Sequence, residues 1–166
     1  MTLTTTIAGS ITAKQVVALD AGSASFPAAF TSSLALTNGT GASQADLLWS
    51  DTRTLTASAT ENLDLAGSLT DAFAAVLTFV KVKAIYVSAA AANTNNVVVG
   101  NGSNPFLGIF TAGTDSVTLK PGYFVLWGGV GAGYTVTAAT GDILKVANSA
   151  GGTSVTYSIM VVGTSA

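Results

Sequence analysis

Leu77-Thr78-Phe79-Val80-Lys81-Val82-Lys83-Ala84-Ile85-Tyr86-Val87 is the stretch on which the fold turns. Its Val-Lys-Val-Lys centre repeats every second residue, the period of a half-buried β-strand whose side chains point alternately to opposite faces. Val80, Val82, Ala84 and Tyr86 share one face; Phe79, Lys81, Lys83, Ile85 and Val87 share the other. The second face starts polar and ends apolar, as expected of a strand that begins at the surface and finishes under a neighbour. Lys81 and Lys83 read as solvated outward residues that discourage edge pairing rather than as ligand contacts.

The same vocabulary of β-branched and aromatic runs, punctuated by Gly, Asn, Asp and Pro, extends in both directions. Upstream, residues 11–19, 26–36, 47–49, 52–57 and 62–65 read as strands, with Thr37-Asn38-Gly39-Thr40-Gly41 as a turn or loop. Downstream come 96–99, 106–110, 116–119, 123–127, 134–137, 143–147 and 154–162. Lys120-Pro121-Gly122-Tyr123 fits a type II turn, with Pro presetting φ at the second position and Gly supplying positive φ at the third. Residues 148–153 join two alternating runs as the loop of an expected terminal hairpin. Helix is nearly absent. Residues 68–77 allow one short turn capped by Thr70 or Asp71, or else a hairpin or loop. About a dozen short strands at this spacing indicate an all-β fold, an antiparallel β-sandwich or jelly roll. A single domain over 1–166 is expected, with 1–35, richer in Ala and Ser, as an arm or peripheral hairpin.

Composition narrows function further. The chain carries six Lys and Arg and eight Asp and Glu in 166 residues, with neither His nor Cys. The residues that build general acid–base catalysis, thiol chemistry and transition-metal sites are scarce or missing. A net charge of −2 offers no basic field for nucleic acid. The run around 84–92 is too short to span a bilayer, and the N-terminus shows no basic region followed by an apolar core, so no membrane span is expected and synthesis in a cytoplasm is, with no need of an oxidising compartment. Charged residues make up 8%, against about 25% in an ordinary soluble domain, so the surface is expected to associate.

Few residues are candidates for chemistry. Asp46 with Asp51, Asp64 with Asp71, and Asp115 or Asp142 are the carboxylates available for acid–base work or calcium. No stretch offers the several carboxylates within a dozen residues that a calcium loop requires. Glu61, the single glutamate, reads as a strand-edge residue. Gly128-Gly129-Val130-Gly131-Ala132-Gly133 resembles a phosphate loop only superficially, because Tyr134-Thr135-Val136 follows with strand rather than helix periodicity. No catalytic, cofactor or metal residue is expected. Trp49 and the aromatics Phe106, Phe110, Tyr123, Trp127 and Tyr134 are core residues or contact surface. Phe106, Phe110, Tyr123 and Trp127 are the candidate interface residues.

Residues 37–55, then 61–73 (Glu61 to Phe73), 141–148 (Gly141 to Asn148) and the last strand Val155-Thr156-Tyr157-Ser158-Ile159, resemble small β-rich structural proteins of tailed bacteriophages and prophages. The resemblance spans about residues 36–166. It implies a non-enzymatic virion component made in the bacterial cytoplasm, most concretely a capsid decoration (cement) protein. Such a protein binds between subunits of the major capsid protein and is itself a homo-oligomer, with a trimer the natural arrangement. A neck or tail component and a carbohydrate-binding or adhesive β-sandwich are the alternatives.

Overall fold

The computed structural model describes residues 2–166, in which no helix occurs. The chain opens with β1 (Thr5–Leu19) and β2 (Gly22–Asn38), then β3 (Gln44–Ala45), β4 (Leu47–Leu55), β5 (Thr60–Asp64), β6 (Leu69–Thr70) and β7 (Val76–Leu77). It continues with β8 (Lys81–Ala89), β9 (Val97–Gly100), β10 (Ser116–Leu119), β11 (Phe124–Gly128), β12 (Tyr134–Thr135), β13 (Ile143–Asn148) and β14 (Val155–Thr164).

Two antiparallel sheets form the body, ordered β4-β14-β8-β11 and β5-β13-β9-β10, with β12 pairing β8 beyond the end of β11. Taken in chain order, the eight principal strands visit the first, second, first, second, second, first, second and first sheet. That alternation, with these neighbours, is the jelly roll, so the all-β sandwich expected from strand spacing is the fold observed. Inward residues of both sheets fill one core, in which Ile85, Val87, Ile159 and Val161 meet Val97, Val99, Leu144 and Val146. Burial of these side chains is the main favourable term in folding.

β1 and β2 stand apart from this body as a two-stranded ribbon, paired without a bulge from Thr5↔Leu36 to Leu19↔Gly22. Only its root is buried: Ile7 and Leu36 join Ala45, Ala84 and Val162 in a second, small core on the outer face of the first sheet. From Ala8 outward β1 is solvent-exposed along its whole length, so the ribbon projects by roughly 40 Å at about 3.4 Å per residue.

Four expectations need correction. The sheet partners of β8 pass directly from Ala84 to Val82, Val162 and Gly163 on β14 and Gly128 and Tyr134 on β11 and β12, so Lys83 is an extra residue. This bulge flips the alternation. Val82 therefore faces the main core with Ile85 and Val87, whereas Ala84 faces outward with Tyr86. Residues 148–153 do not close a hairpin, because β13 and β14 belong to different sheets. The buried Asn148 turns the chain across the sandwich by donating to Thr56 O and Thr153 O and accepting from Asn95 Nδ2. Residues 106–110 form a turn rather than a strand, with Phe110 N–H donating to Leu107 O. Residues 47–49 and 52–57 merge into the single strand β4.

Other local readings hold. Residues 69–77 take the hairpin option, with Asp71 Oδ1 accepting from Phe73 N–H and Ala75 N–H across the turn. Tyr123 N–H donates to Lys120 O, and Gly122 has φ +78°, as a type II turn requires.

Candidate functional site

The polar residues are spent on structure. Glu61 on β5 accepts Tyr157 Oη–H from β14 at 2.5 Å and Arg53 Nε–H from β4 at 2.6 Å, one bond to each carboxylate oxygen. Arg53 also pairs with Asp51 at 2.9 Å. Glu61 belongs to one sheet and its two donors to the other, so the carboxylate clasps the sandwich where edge strands β4 and β5 meet. Burial, reinforced by the Glu61 carboxylate, raises the Tyr157 phenol pKa above its ordinary value and keeps it a donor.

Of the other candidate carboxylates, Asp64, Asp115 and Asp142 serve turns, and Asp46 ties down the last strand's end. Asp115 Oδ2 accepts from Thr111 N–H, the Thr111 hydroxyl and Ala112 N–H; these bonds, the hydroxyl's foremost, hold its pKa below the usual range. Asp142 accepts from Ala139 N–H, Asp64 from Ala66 N–H, and Asp46 from the Ser165 amide and hydroxyl. Among the described residues no group of three His, Cys, Asp or Glu is placed to hold a metal ion.

Lys83 departs from the solvated role expected of it. The bulge buries it to 3% exposure, and its ammonium donates to Gly41 O at 3.0 Å and Gly131 O at 2.6 Å. Gly41 lies in the loop that follows the ribbon, and Gly131 in the glycine-rich loop between β11 and β12. A further bond, Ser43 N–H to Val130 O at 2.7 Å, ties the same two loops. The glycine-rich segment therefore braces the ribbon's root. Gly128 contributes directly: a Cβ there would lie 2.9 Å from Ile7 Cγ2, so the missing side chain lets the root settle on the sheet. A cleft of about 400 Å³ lies beside this loop, lined by Val82, Lys83, Trp127 and Tyr134 among others.

Burial, and secondarily the nearby Lys81, lowers the Lys83 pKa. That desolvation offsets much of what its hydrogen bonds contribute. Lys83→Met is accordingly expected to change global stability by only about 1 kcal/mol while uncoupling the loops. Native-state amide exchange at Ser43 should accelerate by about tenfold, equivalent to about 1.4 kcal/mol of local opening. Unchanged exchange at Ser43 would show that Lys83 does not brace the root.

The four candidate interface aromatics do not form one patch. Phe106 is fully buried in the main core and has no surface to offer a partner, which removes it from the set. Phe110 and Trp127 are half-buried and pack edge to face at 6.4 Å, sealing the sandwich from inside. Tyr123 is exposed on the type II turn.

The accessible apolar surface lies elsewhere, in two places. On the ribbon, cross-strand pairs alternate between faces. One face carries Ile11↔Phe30, Gln15↔Phe26 and Val17↔Ala24; the other carries Ser10↔Thr31, Thr12↔Ala29 and Lys14↔Pro27. Ile11 is 74% exposed, Phe26 69% and Phe30 80%. On the body, the outer face of the first sheet presents Leu126, Tyr86 and Met160 in one cross-strand row and Phe124 in the next. The Tyr86 and Phe124 rings lie 5.8 Å apart. Local alternation in residues 11–30 could have revealed the ribbon's apolar face, since the pairs follow once the turn at Asp20-Ala21 is placed.

The fold and these surfaces define a jelly-roll sandwich bearing a projecting amphipathic ribbon. No protein-family model, no curated protein and no solved structure matches the chain.

Proposed function

We propose that this chain is a non-enzymatic structural subunit of a tailed-phage virion, most concretely a capsid decoration protein that binds between major capsid subunits and itself forms a trimer. The observation that carries the reading is the ribbon: a long projecting element with one apolar face that its own domain leaves uncovered. A two-stranded ribbon is marginal in water by itself and gains stability when a third layer covers its apolar face. The charge-poor surface and the carboxylates committed to clasps and turns agree with a role in contact rather than chemistry. Jelly rolls also occur in lectins and cupins, so the fold alone does not select among roles.

The energetics suit a cement. A few hundred Å² of apolar contact, at about 25 cal/mol per Å², contributes several kcal/mol per copy before association entropy is subtracted. Symmetry multiplies that contribution over the shell. Co-sedimentation of the purified protein with phage capsids lacking it tests the proposal. Saturable pelleting, with capsids more resistant to heat, is the expected result; protein that stays in the supernatant refutes capsid decoration, and pelleting with isolated tails or necks assigns it there. Exposed Tyr123 and Phe124 give a carbohydrate-binding reading its one specific support, and glycan binding by the isolated protein would favour it.

A further inference from the structure

We infer that the ribbon of one copy lies on the outer sheet face of a second copy of this chain, with Ile11, Phe26 and Phe30 packed against Tyr86, Phe124 and Met160. The inference deepens the subunit reading and rests on its self-association, not on what the assembly decorates.

Four observations lead to the second copy. First, the same sheet face is already the ribbon's chosen surface. Within one chain Ile7, Leu34 and Leu36 at the root pack with Ala84, Val162 and Leu126, so the face receives this ribbon's side chains at one end. Its apolar surface continues beyond them to Tyr86, Met160 and Phe124. Second, one chain cannot satisfy both surfaces. Ile11, Phe26 and Phe30 on the ribbon are exposed, and Phe124 is 64% exposed, so the two faces do not meet within a chain.

Third, the chemistry matches. Of the residues on the two faces named here none is charged, and the ribbon's lysine, Lys14, lies on the opposite face opposite Pro27. Neither surface selects a charged partner, and each offers the other aromatic and aliphatic side chains for offset packing. Fourth, the area suffices. Two phenylalanines at roughly 150–250 Å² each, with Ile11, Val17 and Leu19, give one ribbon about 600 Å² of exposed apolar side chain. The apolar patch of the sheet is smaller and is completed by its neighbours Ser88 and Ser158, so that covering the ribbon's face buries about 1,200 Å² in total, polar and apolar together, the lower bound for a specific interface. The contact joins different patches on the two partners, so each copy both gives and receives a ribbon. Reciprocal exchange closes a dimer, and head-to-tail exchange closes a ring.

Light scattering on the full-length protein, without capsids, tests this with two variants that alter exposed residues only. The ribbon variant is Ile11→Ser/Phe26→Ser/Phe30→Ser, and the sheet variant is Phe124→Ser/Met160→Ser. Circular dichroism and melting establish that each remains folded. The wild type is expected at a discrete multiple of the 16.4 kDa chain mass, and each variant alone at that single mass. The two variants mixed should form a 1:1 complex, because one retains an intact sheet face and the other an intact ribbon. A wild-type monomer overturns the inference and leaves the ribbon to a partner of different sequence; if that monomer pellets with capsids, the decoration reading survives alone. An oligomer that persists in the sheet variant but not in the ribbon variant overturns ribbon-on-sheet packing in favour of ribbon-on-ribbon pairing. An oligomer that persists in the ribbon variant places the interface elsewhere and overturns it equally.

Discussion

Glu61→Ala is expected to destabilise the protein by about 3 kcal/mol, chiefly by leaving the Tyr157 hydroxyl in the core without a partner. Tyr157 is fully buried, and among the described residues Glu61 Oε1 accepts the one hydrogen bond its hydroxyl donates. Arg53, partly exposed, can turn to water, so its lost ion pair adds little. Against a total of about 5–15 kcal/mol for a domain, the loss is large. Tyr157→Phe removes the same bond without stranding the hydroxyl and should cost about 1 kcal/mol. In the double variant no buried hydroxyl remains to be stranded, so its loss should be under half of the roughly 4 kcal/mol sum of the single losses, a shortfall of about 2 kcal/mol. Urea denaturation of the four proteins measures this, and strictly additive losses would refute the clasp.

The same hydroxyl dictates an alkaline limit. Its pKa in the folded state lies above the ordinary value of 10.0, so the protonated form is the one that folding favours. The contribution is fully present below about pH 10. It declines at higher pH, where the unfolded chain releases the proton and the folded chain retains it. Tyr157→Phe should flatten that part of the alkaline stability profile.

Gly163→Ala is expected to cost about 3 kcal/mol for a different reason, overpacking against backbone. A Cβ at Gly163 would stand 2.2 Å from Lys81 O and 2.7 Å from Phe79 Cδ1, and a carbonyl inside a sheet has no rotamer by which to move aside. The position lies where β14 shifts register against β8 at the Lys83 bulge, so relief would have to come from the strand pairing itself. Gly128→Ala is the informative comparison. Its closest contact is the Ile7 Cγ2 methyl at 2.9 Å, carried by the ribbon's root rather than by a paired strand carbonyl, so the root can shift to relieve it; the cost should be nearer 1 kcal/mol and fall on the ribbon's root. Thermal melts rank the two substitutions, and equal losses would show that the Gly163 backbone accommodates a methyl group.

These positions also mark how far the chain could be read without its structure. Strand spacing, β-branched runs and turn chemistry were legible because each depends on residues close in sequence, as in the Pro121-Gly122 turn. Alternation along β8 was legible only as far as the bulge. A bulge is set by what neighbouring strands can pair with, so nothing within Val80-Lys81-Val82-Lys83-Ala84 announces that Lys83 is the extra residue or that two loop carbonyls await its ammonium. Residues 148–153 looked like a hairpin because two alternating runs flank a glycine-rich link, yet a crossing between sheets has the same local pattern. Asn148 decides between them through bonds to residues up to 92 positions away. Phe106 and Phe110 look alike in the sequence, as the two aromatics of one short apolar run between loops, and only the packing separates the buried ring from the half-buried one.

The sequence by itself determined an all-β chain poor in charge and without histidine or cysteine, because strand period and side-chain chemistry are local properties of the residues. The jelly-roll order, the Glu61 clasp between sheets, the braced root of the ribbon and the apolar faces left open were decided by tertiary structure alone. Each depends on which distant strands become neighbours, and that choice is made by burial and hydrogen-bond satisfaction over the whole molecule at once.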